Sequence, residues 1–191
     1  MRYKIAIIWT VMFLFCSCDM NNSEQKKLFN ILLTQMERLT ADEKPKQTKT
    51  LQFKKNEEYT VKVVRVADGD TFTGLTDDNR QVRCRLYGID APEGKQDYGK
   101  RSTETLAGMI AGKHVKIVIM DIDRYKRPVT KVYTLDGKDV CAEMLRTGMA
   151  WHYKQYSKDE DYAELENEAR QKKIGLWAGK NPAPPWEFRK K

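Results

Sequence analysis

The sequence holds only two histidines and four cysteines, and neither type is spaced for metal: His114 and His152 stand far apart and no CxxC pair occurs. That argues against a zinc centre. A long apolar run is also missing. The most apolar stretch, Ile5 to Phe15, falls short of the about 20 residues a bilayer-spanning helix requires. No internal repeat appears.

Charge, by contrast, is abundant. The 191 residues include 35 Lys plus Arg against 27 Asp plus Glu, a formal net charge of +8, with 32% charged and 40% apolar residues. The length suits one domain with extensions, since cores of about 100–150 residues are the usual unit. The apolar content excludes a wholly disordered chain. Excess positive charge makes a polyanion the first partner to consider, with ordinary basic solubility as the plain alternative.

Arg2 and Lys4 precede the apolar run, which is followed by Cys16-Ser17-Cys18 and the polar stretch from Asp19 to Ser23. This layout is similar to a bacterial lipoprotein signal, in which cleavage before a cysteine leaves that residue carrying lipid. Cys18 is the candidate anchor, and a simple secretory signal is the alternative. Both place the mature protein outside the cytoplasm, lipid-anchored to a bacterial membrane or secreted and soluble. Removing Arg2 and Lys4 lowers the 35 basic residues to 33 against 27 acidic ones, so the mature chain keeps about +6. The organisation expected is a signal segment over 1–17, a polar tether over 18–55 and one domain over 56–191. Within the tether, Leu28, Phe29, Leu32, Leu33, Met36 and Leu39 have the spacing of a short amphipathic helix.

In the remaining chain, Tyr59 to Val66, Asp70 to Thr76 and Gln81 to Ile89 alternate with period two and read as strands, the last pair joined by a turn at Asp77-Asp78-Asn79. A helix over Tyr98 to Ile110 closes at Gly112. A fourth strand starts at His114, a fifth covers Val129 to Leu135, and helices follow near Val140 to Thr147 and Asp159 to Lys173. Five short strands with helices beside them predict a closed sheet, an OB-like barrel, because closure removes exposed edges. Cys84 shares the face of Val82 and Leu86 and reads as a buried thiol. Cys84 and Cys141 are open to either a free or a bridged state, since only the approach of their backbones decides it.

Two acidic motifs fall at strand ends: Asp68-Gly69-Asp70-Thr71, and Asp90-Ala91-Pro92-Glu93 just past the partner strand. If those strands pair, Asp70 and Asp90 meet at one end of the barrel. Two carboxylates about 4 Å apart repel by roughly 4 kcal/mol at an effective dielectric of 20, so such a pair wants a cation. Oxygen donors alone select a hard one, Ca²⁺ or Mg²⁺. Each motif alone also reads as an ordinary turn. Arg85 lies out of phase with the apolar face of its strand, and Arg127 lies in the basic loop Asp123 to Pro128. A guanidinium offers a planar fork of donors that matches phosphate oxygens.

These residues together resemble the thermonucleases, the staphylococcal nuclease-like family. The match includes DGDT at 68–71, RLYGIDAPE at 85–93, the stretch from Gln96 to Gly99, DRYKRP at 123–128, GMAWHY at 148–153, GLW at 175–177 and PPW at 184–186. The resemblance implies a five-stranded OB-fold with three helices and a Ca²⁺-dependent phosphodiesterase that acts on DNA and RNA, cutting the 5′ P–O bond to leave 3′-phosphate ends. It implies that Asp70 and Asp90 ligate the metal through carboxylates and Ala91 through its carbonyl. The family often has Thr at this last position, but only the backbone is used. Glu93 would serve as general base, and Arg85 and Arg127 would bind the phosphate.

Tyr125 and Tyr153 resemble family positions that touch the nucleotide, and an aromatic face suits sequence-tolerant binding of single strands. Tyr156 competes with Tyr153 for that place. Trp151, Trp177 and Trp186 read as core, and the tail Arg189-Lys190-Lys191 as solvated, with salt-sensitive affinity for nucleic acid as its alternative role. The implied protein is a monomer with no obligate protein partner, its membrane contact made through the amino-terminal lipid. The alternative from another class is a catalytically inactive OB-fold module that only binds nucleic acid. Dead members of the family lose one of the acidic residues or an arginine, and this chain keeps them all. A barrel that binds protein or sugar would not require Arg85, Glu93 and Arg127 to accompany the aspartates.

Overall fold

The computed structural model describes residues 53–190 and, ahead of them, Lys27, Asn30, Ile31 and Thr34, which are helical. The chain divides into a unit ending at Leu51 and a second starting at Gln52. The expected signal segment, Cys18 and the apolar stripe from Leu28 to Leu39 lie outside the described residues.

In the second unit the elements run β1 (Glu58–Asp68), β2 (Thr71–Leu75), β3 (Gln81–Leu86), β4 (Ile89–Asp90), α1 (Gly99–Ile110), β5 (His114–Ile122), β6 (Pro128–Thr134), α2 (Val140–Arg146), β7 (Trp151–His152), α3 (Glu160–Gln171), a 3₁₀ turn (Gly175–Ala178) and α4 (Pro185–Phe188). Five strands close a barrel in the order β1-β2-β3-β6-β5, with β5 returning to β1. Only the β3–β6 seam is parallel, with Arg85 opposite Val129. This is the expected five-stranded OB-type barrel; α1, α2 and α3 are the expected three helices, and α4 adds a single turn.

Side-chain alternation fixes which face each strand turns inward. In β3, Val82, Cys84 and Leu86 are buried while Gln81 and Arg83 face solvent. The barrel core joins these to Val61, Val63, Phe72, Ile117, Ile119 and Val132. Burying each such side chain contributes about 1.5–3 kcal/mol. Leu106 and Ile110, four residues apart on α1, seal one side, and Met144 and Leu145 of α2 another. Asp139 caps α2 by accepting from the Ala142 N–H, and Asp159 caps α3 by accepting from Tyr162. Each cap is worth about 1 kcal/mol.

One strand ends earlier than its pattern implies. β3 stops at Leu86, not Ile89, because Gly88 takes a left-handed φ of 72° and turns the chain. Ile89 and Asp90 then form β4, which pairs with β7 in a separate two-stranded ladder. That corner carries Asp90 away from the barrel wall and back toward Asp70.

Candidate active site

Asp70 lies between β1 and β2, where a register shift between Val66 and Asp68 ends the regular pairing. The turn is tight. Asp68 Oδ1 accepts from the Asp70 N–H at 3.1 Å, and a Cβ on Gly69 would overlap Ser102 Oγ and stand 2.8 Å from the Ala91 Cβ. Glycine is therefore required for α1 and the Asp90 loop to close over this turn. The Leu86 N–H donates to the Asp70 carbonyl at 2.8 Å, which ties the turn to the end of β3.

Asp70 and Asp90 meet on one guanidinium. Arg85 Nη1 donates to Asp70 Oδ1 at 2.6 Å and Nη2 to Asp90 Oδ1 at 2.7 Å. Asp90 is wholly buried and Asp70 nearly so. Burial pushes the Asp70 carboxyl above its usual range, and the Arg85 charge pulls against it. Burial alone would lower the Arg85 pKa, but the charges of Asp70 and Asp90 outweigh it and hold that pKa above its ordinary value. The Ala91 N–H donates to Asp70 Oδ2 at 2.8 Å, so the backbone of the second motif is hydrogen-bonded to the carboxylate of the first.

Glu93 follows on a turn held by its own backbone. Its carbonyl accepts from Gln96 N, and its N–H donates to Gln96 Oε1 at 3.2 Å. A Cβ on Gly99 would overlap the Glu93 carbonyl, so the first residue of α1 must be glycine for this approach. The Glu93 carboxylate is half-exposed, and Arg189 reaches it. Arg189 Nη1 donates to Glu93 Oε1 at 2.7 Å, and its Nη2 donates to Asp90 Oδ2 at 2.7 Å. The tail that the sequence marked as solvated is thus docked on the acidic cluster through Arg189. Hydrogen bonding to Asp90, together with Glu93, raises the Arg189 pKa against its burial.

Arg127 stands two residues before Val129, the parallel partner of Arg85, so adjacent strands bring the two arginines to one region of the barrel wall. Its Nε donates to Asp123 Oδ2 at 2.7 Å, and its guanidinium lies over the Tyr125 ring at 5.4 Å from the centroid. Tyr125 itself is 65% exposed. Tyr153 is tied down: its N–H donates to Gly88 O at 2.8 Å and its ring stacks on Trp186 at 5.4 Å with the planes parallel. Burial raises the Tyr153 hydroxyl pKa, and the Asp90 charge adds to it. Tyr156 packs edge-on against Tyr153 and is mostly exposed.

Trp151 and Trp177 are core as expected, edge to face at 4.4 Å with Arg170 stacked over both. Trp186 packs against the same cluster, edge-on to Trp151 at 5.5 Å, but is only partly buried, and it also braces Tyr153. An open groove of about 580 Å³ runs past these rings, lined by Arg124, Tyr153, Lys154, Arg170, Trp186 and Lys190 among others. Cys84 and Cys141 are free, buried thiols, each pushed up to about 12 by burial.

Among the described residues no group of three or more His, Cys, Asp and Glu is gathered closely enough to hold a metal ion. The donor chemistry nonetheless fits a hard cation: Asp70, Asp90 and Glu93 offer oxygen only, and the chain itself supplies cations to them as guanidinium groups. Asp70, Asp90, Ala91 and Glu93 therefore share one end of the barrel with Arg85. The residues that sequence reasoning missed are Arg189, whose only signal was a basic tail, and Trp186, whose neighbours Pro184 and Pro185 gave no hint of its stacking partner.

A family model described as staphylococcal nuclease homologue matches residues 83–179, just over half of the chain. An uncharacterized endonuclease of Escherichia coli O157:H7 is 48% identical over 128 residues, which cover 67% of this chain and 83% of that protein. An uncharacterized endonuclease of Haemophilus influenzae is 42% identical over 134 residues, 70% of this chain and 75% of its own. A staphylococcal-like nuclease of Arabidopsis thaliana is 49% identical over 111 residues, 58% of this chain and 34% of the plant protein. On the barrel, the clustered acidic motifs and these matches, the chain belongs to the staphylococcal nuclease homologue family.

Proposed function

We propose that the protein is a Ca²⁺-dependent nuclease that hydrolyses phosphodiester bonds of DNA and RNA, preferring single strands, by 5′ P–O cleavage that leaves 3′-phosphate ends. The observation that carries this reading is the meeting of Asp70 and Asp90 on Arg85 at one end of the barrel, with Glu93 beside them. The names of the relatives, endonuclease and staphylococcal-like nuclease, support the same reaction class.

A phosphodiester is anionic and repels a hydroxide-like nucleophile, so its hydrolysis needs positive charge around phosphorus and a water held in line. The carboxylates of Asp70 and Asp90 and the carbonyl of Ala91 would hold the ion, whose chemistry when bound is to withdraw charge from the phosphate oxygens. Glu93 accepts the proton of the attacking water. Arg85 and Arg127 meet the charge that grows on the phosphate oxygens; by analogy with arginine fingers, loss of either lowers turnover by about 10³ or more. The exposed Tyr125 ring and the braced Tyr153 ring offer faces for bases, each worth about 1–3 kcal/mol.

The protein acts outside the cytoplasm as a monomer, lipid-anchored to a bacterial membrane through Cys18 after removal of residues 1–17; release as a soluble secreted form is the alternative. Palmitate labelling that disappears in Cys18→Ala supports the anchor, and labelling that persists refutes it. For the activity, acid-soluble nucleotides are measured from heat-denatured DNA with Ca²⁺ and with EGTA. Release with Ca²⁺ only is expected, and digestion that survives chelation refutes the metal assignment. Glu93→Gln should slow turnover by about 10²–10⁴, the usual worth of a general base.

A further inference from the structure

We propose that Arg189 is a built-in counter-cation that competes with the divalent ion for Asp90 and Glu93, and so sets the ion concentration at which the site loads; this rests on the metal reading above. The guanidinium forks across two carboxylates three residues apart. Nη2 is 2.7 Å from Asp90 Oδ2, Nη1 is 2.7 Å from Glu93 Oε1, and Nη1 is 3.3 Å from Asp90 Oδ1. Arg85 already holds Asp90 Oδ1, so both oxygens of this buried carboxylate are engaged by guanidinium groups. A hard cation needs those lone pairs directly, and two cations on one carboxylate repel.

The competitor is tethered. Gln96 Nε2 donates to the Ala183 carbonyl at 2.5 Å, Trp186 stacks on Tyr153 and meets Trp151 edge-on at 5.5 Å, and the one-turn α4 delivers Arg189 from that platform. Tethering holds the guanidinium at an effective concentration of about millimolar or above, comparable with concentrations at which a weakly held cation binds. The Arg189 side chain is also 40% exposed, so it can leave its partners for water without unfolding the barrel. Lys190, the next residue, forms no ion pair among the described residues and serves as the charge-matched control.

Ca²⁺ binding to the purified full chain, titrated calorimetrically without nucleic acid, tests the inference in wild type, Arg189→Gln, Arg189→Lys and Lys190→Gln. Arg189→Gln should bind Ca²⁺ about tenfold more tightly, the worth of one charge-assisted fork on a buried carboxylate. Arg189→Lys, which keeps the charge but not the fork, should fall between it and wild type. Lys190→Gln makes the same change in net charge and should shift the affinity less than about twofold, the effect of a screened surface charge. Equal or weaker binding in Arg189→Gln overturns the competition while leaving the metal reading intact. Failure of Ca²⁺ to bind any of the four proteins overturns both.

Discussion

Replacing Arg85 by methionine removes the side chain that, among the described residues, bridges Asp70 and Asp90. Each contact, at 2.6 and 2.7 Å, corresponds to about 6 kcal/mol of attraction at an effective dielectric of 20. Several terms reduce the net loss. The guanidinium's own desolvation is relieved, Asp90 keeps Arg189, and Asp70 keeps the Ala91 N–H. Two nearly buried carboxylates are left with less compensation, and the expected destabilisation is about 3–5 kcal/mol. With a urea slope of about 2 kcal/mol per molar, the midpoint falls by about 1.5–2.5 M. Urea unfolding followed by tryptophan fluorescence, in EDTA so that no divalent ion contributes, measures it directly. Arg85→Lys keeps the charge but cannot span both carboxylates, and should lose about half as much. A loss below about 1 kcal/mol for the methionine variant, the worth of an exposed pair, refutes the view that Arg85 neutralises a buried acidic pair.

Gly69→Ala should destabilise by about 1–3 kcal/mol and lower nuclease activity, since the new Cβ forces Ser102 and Ala91 apart; an unchanged melting temperature contradicts that packing. Cys84 and Cys141, with thiols at about 12 and buried, should resist a disulfide reagent at pH 8 in the native protein and react once urea unfolds it, so rapid native labelling would show an open core. Burial holds the His152 pKa below 6.5, so the fold favours the neutral ring; the stability this brings is complete above the unfolded pKa and is lost as pH falls through the folded one. His152→Phe should therefore lose less stability than wild type between pH 7 and pH 5, and parallel losses would remove His152 from the acid response.

Local patterns were legible wherever they decide the structure. The alternation in Val82-Arg83-Cys84-Arg85-Leu86 predicts both the buried face and an Arg85 turned away from that core, because a half-buried strand leaves no other register; that Arg85 is itself largely covered, on Asp70 and Asp90, is not in the pattern. The closed barrel followed from five such strands, and the meeting of Asp70 and Asp90 from the β2–β3 hairpin, whose Thr71–Arg85 pairing aligns the two ends. Failures arose where the chain breaks its own period. Ile89 continues the apolar alternation past Leu86, but a left-handed Gly88 redirects it into a ladder with Trp151 and His152 that is too short to leave a pattern. Arg189 contacts residues 99 and 96 positions earlier, and no local pattern encodes such a contact. Trp186 packs against the cluster of Trp151 and Trp177, as a core tryptophan does, but its stacking on Tyr153 of a distant segment leaves no local signal.

The central claim is that one end of this barrel holds a cation on Asp70 and Asp90 and a phosphodiester against Arg85 and Arg127. A crystal structure with Ca²⁺ and a non-hydrolysable nucleotide bisphosphate tests it most directly. The account predicts the ion on both aspartates and the Ala91 carbonyl, with a phosphate bonded to both arginines; an ion bound elsewhere, or a phosphate that touches neither arginine, would contradict it.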